Sequence, residues 1–519
     1  MPLSSVLAAL IALPLICAVV MAVLPSKSMP KSVYESIHVV SMAGVLVLAL
    51  CIVVAVFVSG EPVTVLGLWF RVDALSGVFV ALIGVIGFLV GVFSVPYVDH
   101  DVEVGHMDMV KVKSYYTFFS LFVFTMLLAS TSNNIIMMWI CIEATTLATV
   151  FLVGAYQTKL ALEAAWKYII VCTCGVAFGL YGTLLVYANA AAVMADPTQA
   201  VFWTSIVPIA DQLDHTTMAL AFTFAVVGFG TKAGLFPMHT WLPDAHSEAP
   251  SPVSALLSGV LLKCAMLVII RFYVLALGSI GGFYPHLMLL VIGGLSVLVA
   301  AFSVYVQDDL KRKLAYHSCE NIGIVALCLG FGGPLGVAAA LLHSVFHGLT
   351  KALLFCVSGN ILMKYGTRDL NKVTGVLEAA PATGTLMAIG FFALAGFPPF
   401  AMFTSEITAF LAGMQSGYLA ILIVFGIALT VVVCACAHVV SHSVLGKAPK
   451  GMAKGDVPWM ALVPEALLVV MIIWFGVALP QPLAADIDNA TSIVLQEDVD
   501  PLASGSLLSG IADAVGHDA

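Results

Sequence analysis

Runs of about 18 or more apolar residues recur along the whole chain, each long enough to cross about 30 Å of hydrocarbon. No other feature limits the fold so strongly. Backbone N–H and C=O groups find no water in that layer, so a spanning segment must be a helix or part of a closed barrel. The runs are continuously apolar and lack period-two alternation, which selects helices. Composition agrees: 61% of the 519 residues are hydrophobic and 9% are charged, against about 25% charged in a soluble domain. The chain reads as an all-α polytopic membrane protein with about fourteen transmembrane helices. The spans are expected at about 4–24, 35–58, 74–96, 114–131, 134–155, 165–188, 217–238, 252–276, 285–305, 316–331, 335–361, 381–412, 418–441 and 459–479. The first lacks a basic n-region and is too long for a signal peptide, so it reads as a retained span.

Charge placement orients these spans. Of the twenty basic residues, Lys232, Lys263 and Lys351 fall inside spans. Fifteen others, from Lys27 and Lys31 to Lys450 and Lys454, fall on odd-numbered loops, leaving Arg71 and Arg271 on the other side. The positive-inside rule makes the odd loops cytoplasmic and puts both termini outside. The last forty residues are acidic (Asp486, Asp488, Glu497, Asp498, Asp500, Asp513, Asp518), contain no lysine or arginine, and read as a loosely ordered tail. The Cys172/Cys174 and Cys434/Cys436 pairs project about 200° apart on a helix, a poor geometry for chelating one metal, and no metal is expected.

Ionisable residues inside a membrane are expensive and mark function by default. Glu143 lies in the fifth span, Lys232 in the seventh and Lys263 in the eighth. The eleventh carries His343, His347 and Lys351 at four-residue spacing, one stripe about 12 Å long suited to passing a proton from group to group. A metal on the two histidines is the rival, but no third ligand stands out. Glu406 follows the double proline of the twelfth span, while Glu320 and Lys364 lie near span ends, where snorkelling explains them. Asp244, His246 and Glu248 read as a polar cytoplasmic turn before Ser251-Pro252, an N-cap and first-turn proline.

KAGLFPMHTW (232–241) and LAGFPPFAMF (394–403) share an Ala-Gly, apolar residues and proline, and sit five spans apart. An odd shift reverses helix direction, so the pair is the mark of an inverted repeat with broken seventh and twelfth helices lining a transport path. The breaks fall at Gly234 and Pro237, and at Gly396, Pro398 and Pro399.

GTKAGLFPMHTWLPDAHSEAPSPVSALLSGVLLKCAML (230–267), VQDDLKRKLAYHSCENIG (306–323), FHGLTKALLFCVSGNIL (346–362) and AGFPPFAMFTSE (395–406) resemble the proton-conducting antiporter-like subunits of respiratory complex I, Mrp antiporters and group-four membrane hydrogenases. IEATTLATVFLVGAYQTKLALEAAWKYII (142–170) and GNILMKYGTRDL (359–370) place it nearest the F component of hydrogenase-4 and formate hydrogenlyase-type complexes. The resemblance implies two inverted five-helix repeats, here 113–276 and 277–441, after an N-terminal three-helix segment (1–112) and before a final helix (442–480) and acidic tail (481–519). It assigns the proton pathway to Glu143, Lys232, Lys263, Lys351 and Glu406, beside the histidine stripe. It also implies a prokaryotic inner membrane and a hetero-oligomeric complex with other membrane subunits and a peripheral redox module.

The expected mechanism pairs Glu143 with Lys232; parting them drives the proton through Lys263 and the His347/His343/Lys351 stripe to Glu406. The chain has no Cys-x-x-Cys cluster motif, no dinucleotide turn and no phosphate loop. No cofactor is therefore expected in it, and iron–sulfur clusters and NiFe or quinone sites belong to partners. No nucleic-acid partner is expected. A Na⁺(K⁺)/H⁺ antiporter subunit, or a proton-conducting module of an inorganic-carbon uptake complex, would need the same residues.

Overall fold

A computed structural model describes residues 2–26 and 29–502; the expectations for Lys27, Asp513 and Asp518 lie outside them. The helices are α1 (Leu3–Val23), α2 (Lys31–Ser59), α3 (Ala74–Glu103), α4 (Met109–Thr131), α5 (Ile135–Val153), α6 (Lys159–Val193), α7 (His215–Glu248, interrupted), α8 (Ser251–Ile280), α9 (Phe283–Tyr305), α10 (Leu310–Phe331) and α11 (Gly333–Tyr365). After these come α12 (Pro381–Leu394 and Ala401–Gln415), α13 (Leu419–Val444), α14 (Trp459–Val477) and α15 (Gln481–Leu495). Thirteen are long and apolar enough to cross a membrane, and the two halves of α12 supply the fourteenth span. One short hairpin, β1 (Val63–Val65) with β2 (Phe70–Val72), joins α2 to α3 with Val63 opposite Val72.

Local chemistry sets the helix ends. Asp73 caps α3 through Ser76 N at 2.9 Å, Asn134 caps α5 through Ile136 N and Met137 N at 3.0 Å, and Asp309 caps α10 through Arg312 N at 3.0 Å. Both expected breaks are present. The first half of α7 ends at Ala233 on Gly234 (φ 84°), and α12 parts at Gly396 (φ 68°), a left-handed conformation suited to glycine.

Lipid tails give helices no hydrophobic reason to associate, so close packing must do it. A Cβ at Gly228 would lie 2.2 Å from Gly179 N, so α6 and α7 touch backbone to backbone. α9 and α10 do the same at Gly293, 2.7 Å by that measure from Leu327 N. The most apolar stretches of α8 and α11 are wholly buried, whereas only a third of those of α2, α13 and α14 is. Side chains on α8, α10 and α11 are therefore shielded from lipid by a ring of other helices.

The acidic tail needs correction. Residues 481–495 form α15, packed on α3, α8 and α11 with Asp486 and Asp488 buried. Its carboxylates are spaced so that apolar residues still line one face, which overall acidity concealed.

Candidate functional site

Lys232 lies in the last turn before the α7 break and is wholly buried. Its Nζ donates to Thr146 Oγ1 at 2.9 Å and to the Tyr168 hydroxyl at 2.6 Å, and stands 4.7 Å from the Tyr168 ring centre and 5.9 Å from that of Trp241. The helix end adds its own partial negative charge. The expected ion pair with Glu143 is absent. Thr146 and Tyr168 occupy the ammonium's hydrogen-bonding directions, and the Glu143 carboxylate turns away to accept from Thr173 Oγ1 at 2.7 Å. Its other oxygen, Oε2, has no partner.

Between the two broken helices, α8 and α11 cross with almost no space: a Cβ on Gly348 would lie 2.8 Å from the Gly259 carbonyl. α8 widens there into a π-turn over Leu257–Leu261, a device that releases carbonyls from the regular ladder. Lys263 Nζ binds one of them, Ser258 O, while Ser258 Oγ meets Ser318 Oγ at 2.6 Å. Beyond the crossing lies the α11 stripe. Lys351 Nζ binds the Leu314 carbonyl and stands 5.6 Å from the Phe355 ring centre. His347 stacks on His343 with ring centres 6.2 Å apart, and neither of its nitrogens has a protein partner. His343 contacts Ser405 Oγ at 3.0 Å and Asn321 Oδ1 at 3.1 Å. Lys263, His343, His347 and Lys351 are thus brought together, each wholly buried.

Glu320 corrects a second expectation. It does not snorkel: it is 1% exposed, accepts from Asn321 Nδ2 at 3.0 Å and lies 3.4 Å from His317 Nδ1. α10 begins six residues before the expected span, because Asp309 caps it and Lys313 reaches back to Val304 O at 2.8 Å. Glu320 is consequently deep in the bundle. Glu406, beside Ser405, lays its carboxylate on the α12 break, where a Cβ on Gly396 would meet Oε2 at 2.1 Å. A cleft of about 280 Å³ lined by Glu406, Phe403, Ile407 and Thr430 opens beside it.

Residues 241–248 are helix rather than loop, and His246 is wholly buried. Its ring stacks on Phe355 at 4.8 Å, and both nitrogens lack partners. Asp244 and Glu248 point away, to Lys167 at 3.1 Å and Arg368 at 2.5 Å. A cavity of about 540 Å³ is lined by Asp101, His106, Tyr156, Glu248, Lys311 and Arg368. At its wall the Tyr156 hydroxyl donates to Asp101 Oδ2 at 2.7 Å, and Lys311 Nζ binds the Ala249 carbonyl. Lys311 and Lys351 are both electrostatic neighbours of His246. A path of ionisable groups therefore leads from the cavity to the stripe.

The profile described as NADH:quinone oxidoreductase/Mrp antiporter, TM matches residues 132–432. The hydrogenase-4 component F homolog of Methylacidiphilum infernorum (isolate V4) is 40% identical over 340 residues, which span 66% of this chain and 71% of that protein. A chain of the membrane-bound sulfane sulfur reductase, an archaeal respiratory membrane complex, superposes with a TM-score of 0.85 at 24% identity, covering 98% of this chain and 100% of that one. A chain of the Mrp complex from Dietzia sp. DQ12-45-1b gives 0.81 at 19% identity with the same coverage.

Proposed function

Because the chain belongs to the NADH:quinone oxidoreductase/Mrp antiporter transmembrane family, we propose that this antiporter-like membrane protein is the proton-translocating subunit of a respiratory or hydrogenase-type oxidoreductase complex. One observation carries the reading: Lys263, His347 and Lys351 are buried side by side with no carboxylate bonded to any of them. Helix–helix adhesion is met by neutral hydroxyls and amides. Three basic groups resting on carbonyls or on nothing suit a charge that comes and goes.

Protons enter from the cytoplasmic cavity past Asp101 and Lys311 and reach the stripe through His246. Water fills the positions left by the unpartnered nitrogens of His246 and His347, each of which needs a hydrogen-bonding partner. The outlet runs through His343 and Ser405 to Glu406 and its cleft. Glu143 is the switch. Turning the carboxylate from Thr173 to Lys232 replaces neutral bonds by a charge pair, an interaction of about 4 kcal/mol at 4 Å and an effective dielectric near 20. Partner subunits in the inner membrane complex supply the redox chemistry, through iron–sulfur clusters and a NiFe or quinone site, and both termini of this chain lie outside the cytoplasm.

The test is gentle solubilisation of native membranes, capture of this chain, mass spectrometry of what accompanies it, and reconstitution of that assembly in vesicles with a pH-sensitive dye. Redox partners and substrate-driven acidification support the reading. Small hydrophobic antiporter subunits without a redox chain, or cation-driven acidification, move the protein to cation/proton exchange.

A further inference from the structure

The row just described is flanked by buried polar atoms that no protein group satisfies. The same mark appears in a second place, which that row does not reach. In α2 and α4, the Oε1 of Glu35, Nδ1 of His38, Oγ of Ser41, the hydroxyls of Tyr115 and Tyr116, and Oγ of Ser120 are all buried without a partner. Glu35, His38 and Ser41 follow one another at three-residue spacing on one face of α2. His38 is wholly buried between Tyr116, with ring centres 4.8 Å apart, and Phe119 at 4.6 Å. Its Nε2 lies 3.4 Å from Ser94 Oγ.

The cluster has two ends. At one, Tyr116 neighbours Glu35 and Asp99, where Lys31 bonds Asp99 at the cytoplasmic end of α2. At the other, Tyr115 lies beside Ser94 and Tyr97. The Tyr97 hydroxyl meets that of Tyr156 at 2.9 Å, and Tyr156 bonds Asp101 in the wall of the cytoplasmic cavity.

Six unpartnered polar atoms in one apolar segment would cost more than a marginal fold tolerates unless water serves them. A chance scatter would not join two carboxylate clusters. We propose that α2, α3 and α4 enclose a hydrated side inlet centred on His38, which takes protons from Glu35 and Asp99 and delivers them through Tyr97 and Tyr156 to Asp101. The step at His38 is neutral overall: Nδ1 gains a proton from water held by Tyr116 while Nε2 releases one toward Ser94. A side entrance keeps the cavity supplied when a peripheral module covers its mouth. This inference rests on proton translocation as the function.

Two measurements on the intact co-purified complex separate the ideas. X-ray hydroxyl-radical footprinting reports water beside buried side chains without reference to transport; Tyr115 and Tyr116 should be labelled on the millisecond scale, and less so in H38L, which fills the pocket with carbon. H38Q preserves a polar side chain opposite Ser94; it should melt like wild type yet slow substrate-driven acidification about tenfold, below the effect of a sole carrier because the mouth stays open. E35Q should act in the same direction. Unlabelled tyrosines overturn the inlet, as do labelled tyrosines with wild-type acidification in H38Q and E35Q. A wild-type complex that acidifies nothing overturns the proton-translocating function itself, whatever the footprint.

Discussion

The two broken helices use one backbone device to opposite ends. In each a left-handed glycine, Gly234 or Gly396, precedes a proline three residues on. In α7 the ionisable residue comes before the break, so Lys232 sits where the helix end is partially negative, and hydroxyls and aromatic faces close around it. In α12 it comes after the break: Glu406 stands past the first turn of the second half, where the terminal dipole has faded, and looks into an open cleft. The first site holds its charge by prearranged dipoles and the second by whatever enters the cleft. An identical interruption thus makes a closed cage for a cation at one position and an accessible acid at the other.

That contrast can be broken directly. K232A should reduce substrate-driven acidification by about a hundredfold or more, because nothing else can carry the charge inside the cage; dye quenching in vesicles measures it. E406Q should cost about tenfold, since water in the cleft still offers a partial route. The glycines sharpen the comparison. Both are left-handed, but a Cβ at Gly396 strikes Glu406 Oε2 at 2.1 Å, whereas one at Gly234 strikes a Leu242 methyl at 2.7 Å. At matched melting temperature, G396A should approach E406Q in transport while G234A stays nearer wild type. Y168F removes one of two hydroxyls from Lys232, about 1 kcal/mol, and should slow transport about fivefold.

The smallest effect concerns the helix α15. Burial, and then the nearby Asp73 carboxylate, push Asp486 up to about 7. Asp73 is already engaged by Arg271 Nη2 at 3.0 and 3.1 Å. The docked helix α15 therefore binds a proton that the free one, at about 3.9, does not. Docking is strongest at low pH and weakens as pH rises from about 4 to about 7. Amide exchange across 481–495 should quicken over that window, and D486N should make it pH-independent.

Much of the fold was legible, because a run of apolar residues leaves the backbone so few choices. The breaks were legible too, since glycine and proline write them. Lys232, Lys263 and the α11 stripe were found by their cost. Their partners were not: Thr146, Tyr168, Ser258 and Ser318 are ordinary residues, and a carbonyl released by a π-turn carries no mark in the sequence. Glu320 and His246 were misplaced for a common reason. Charged neighbours (Asp308, Asp309, Lys311 and Arg312 for one, Asp244 and Glu248 for the other) made each segment look like loop, yet Asp309 and Glu248 pair with Arg368, Asp244 pairs with Arg312 and Lys167, and Lys311 bonds the Ala249 carbonyl. With those charges met by partners, the helix carrying the buried residue can continue.

The crossing of α8 over α11 has one more consequence. Lys263 and Lys351 lie on either side of it, each bonded to a backbone carbonyl. Two like charges that face each other in a poorly screened interior repel. A second positive charge is thus disfavoured while the first remains. If the row carries protons as proposed, the crossing would act as a turnstile that admits one passenger at a time.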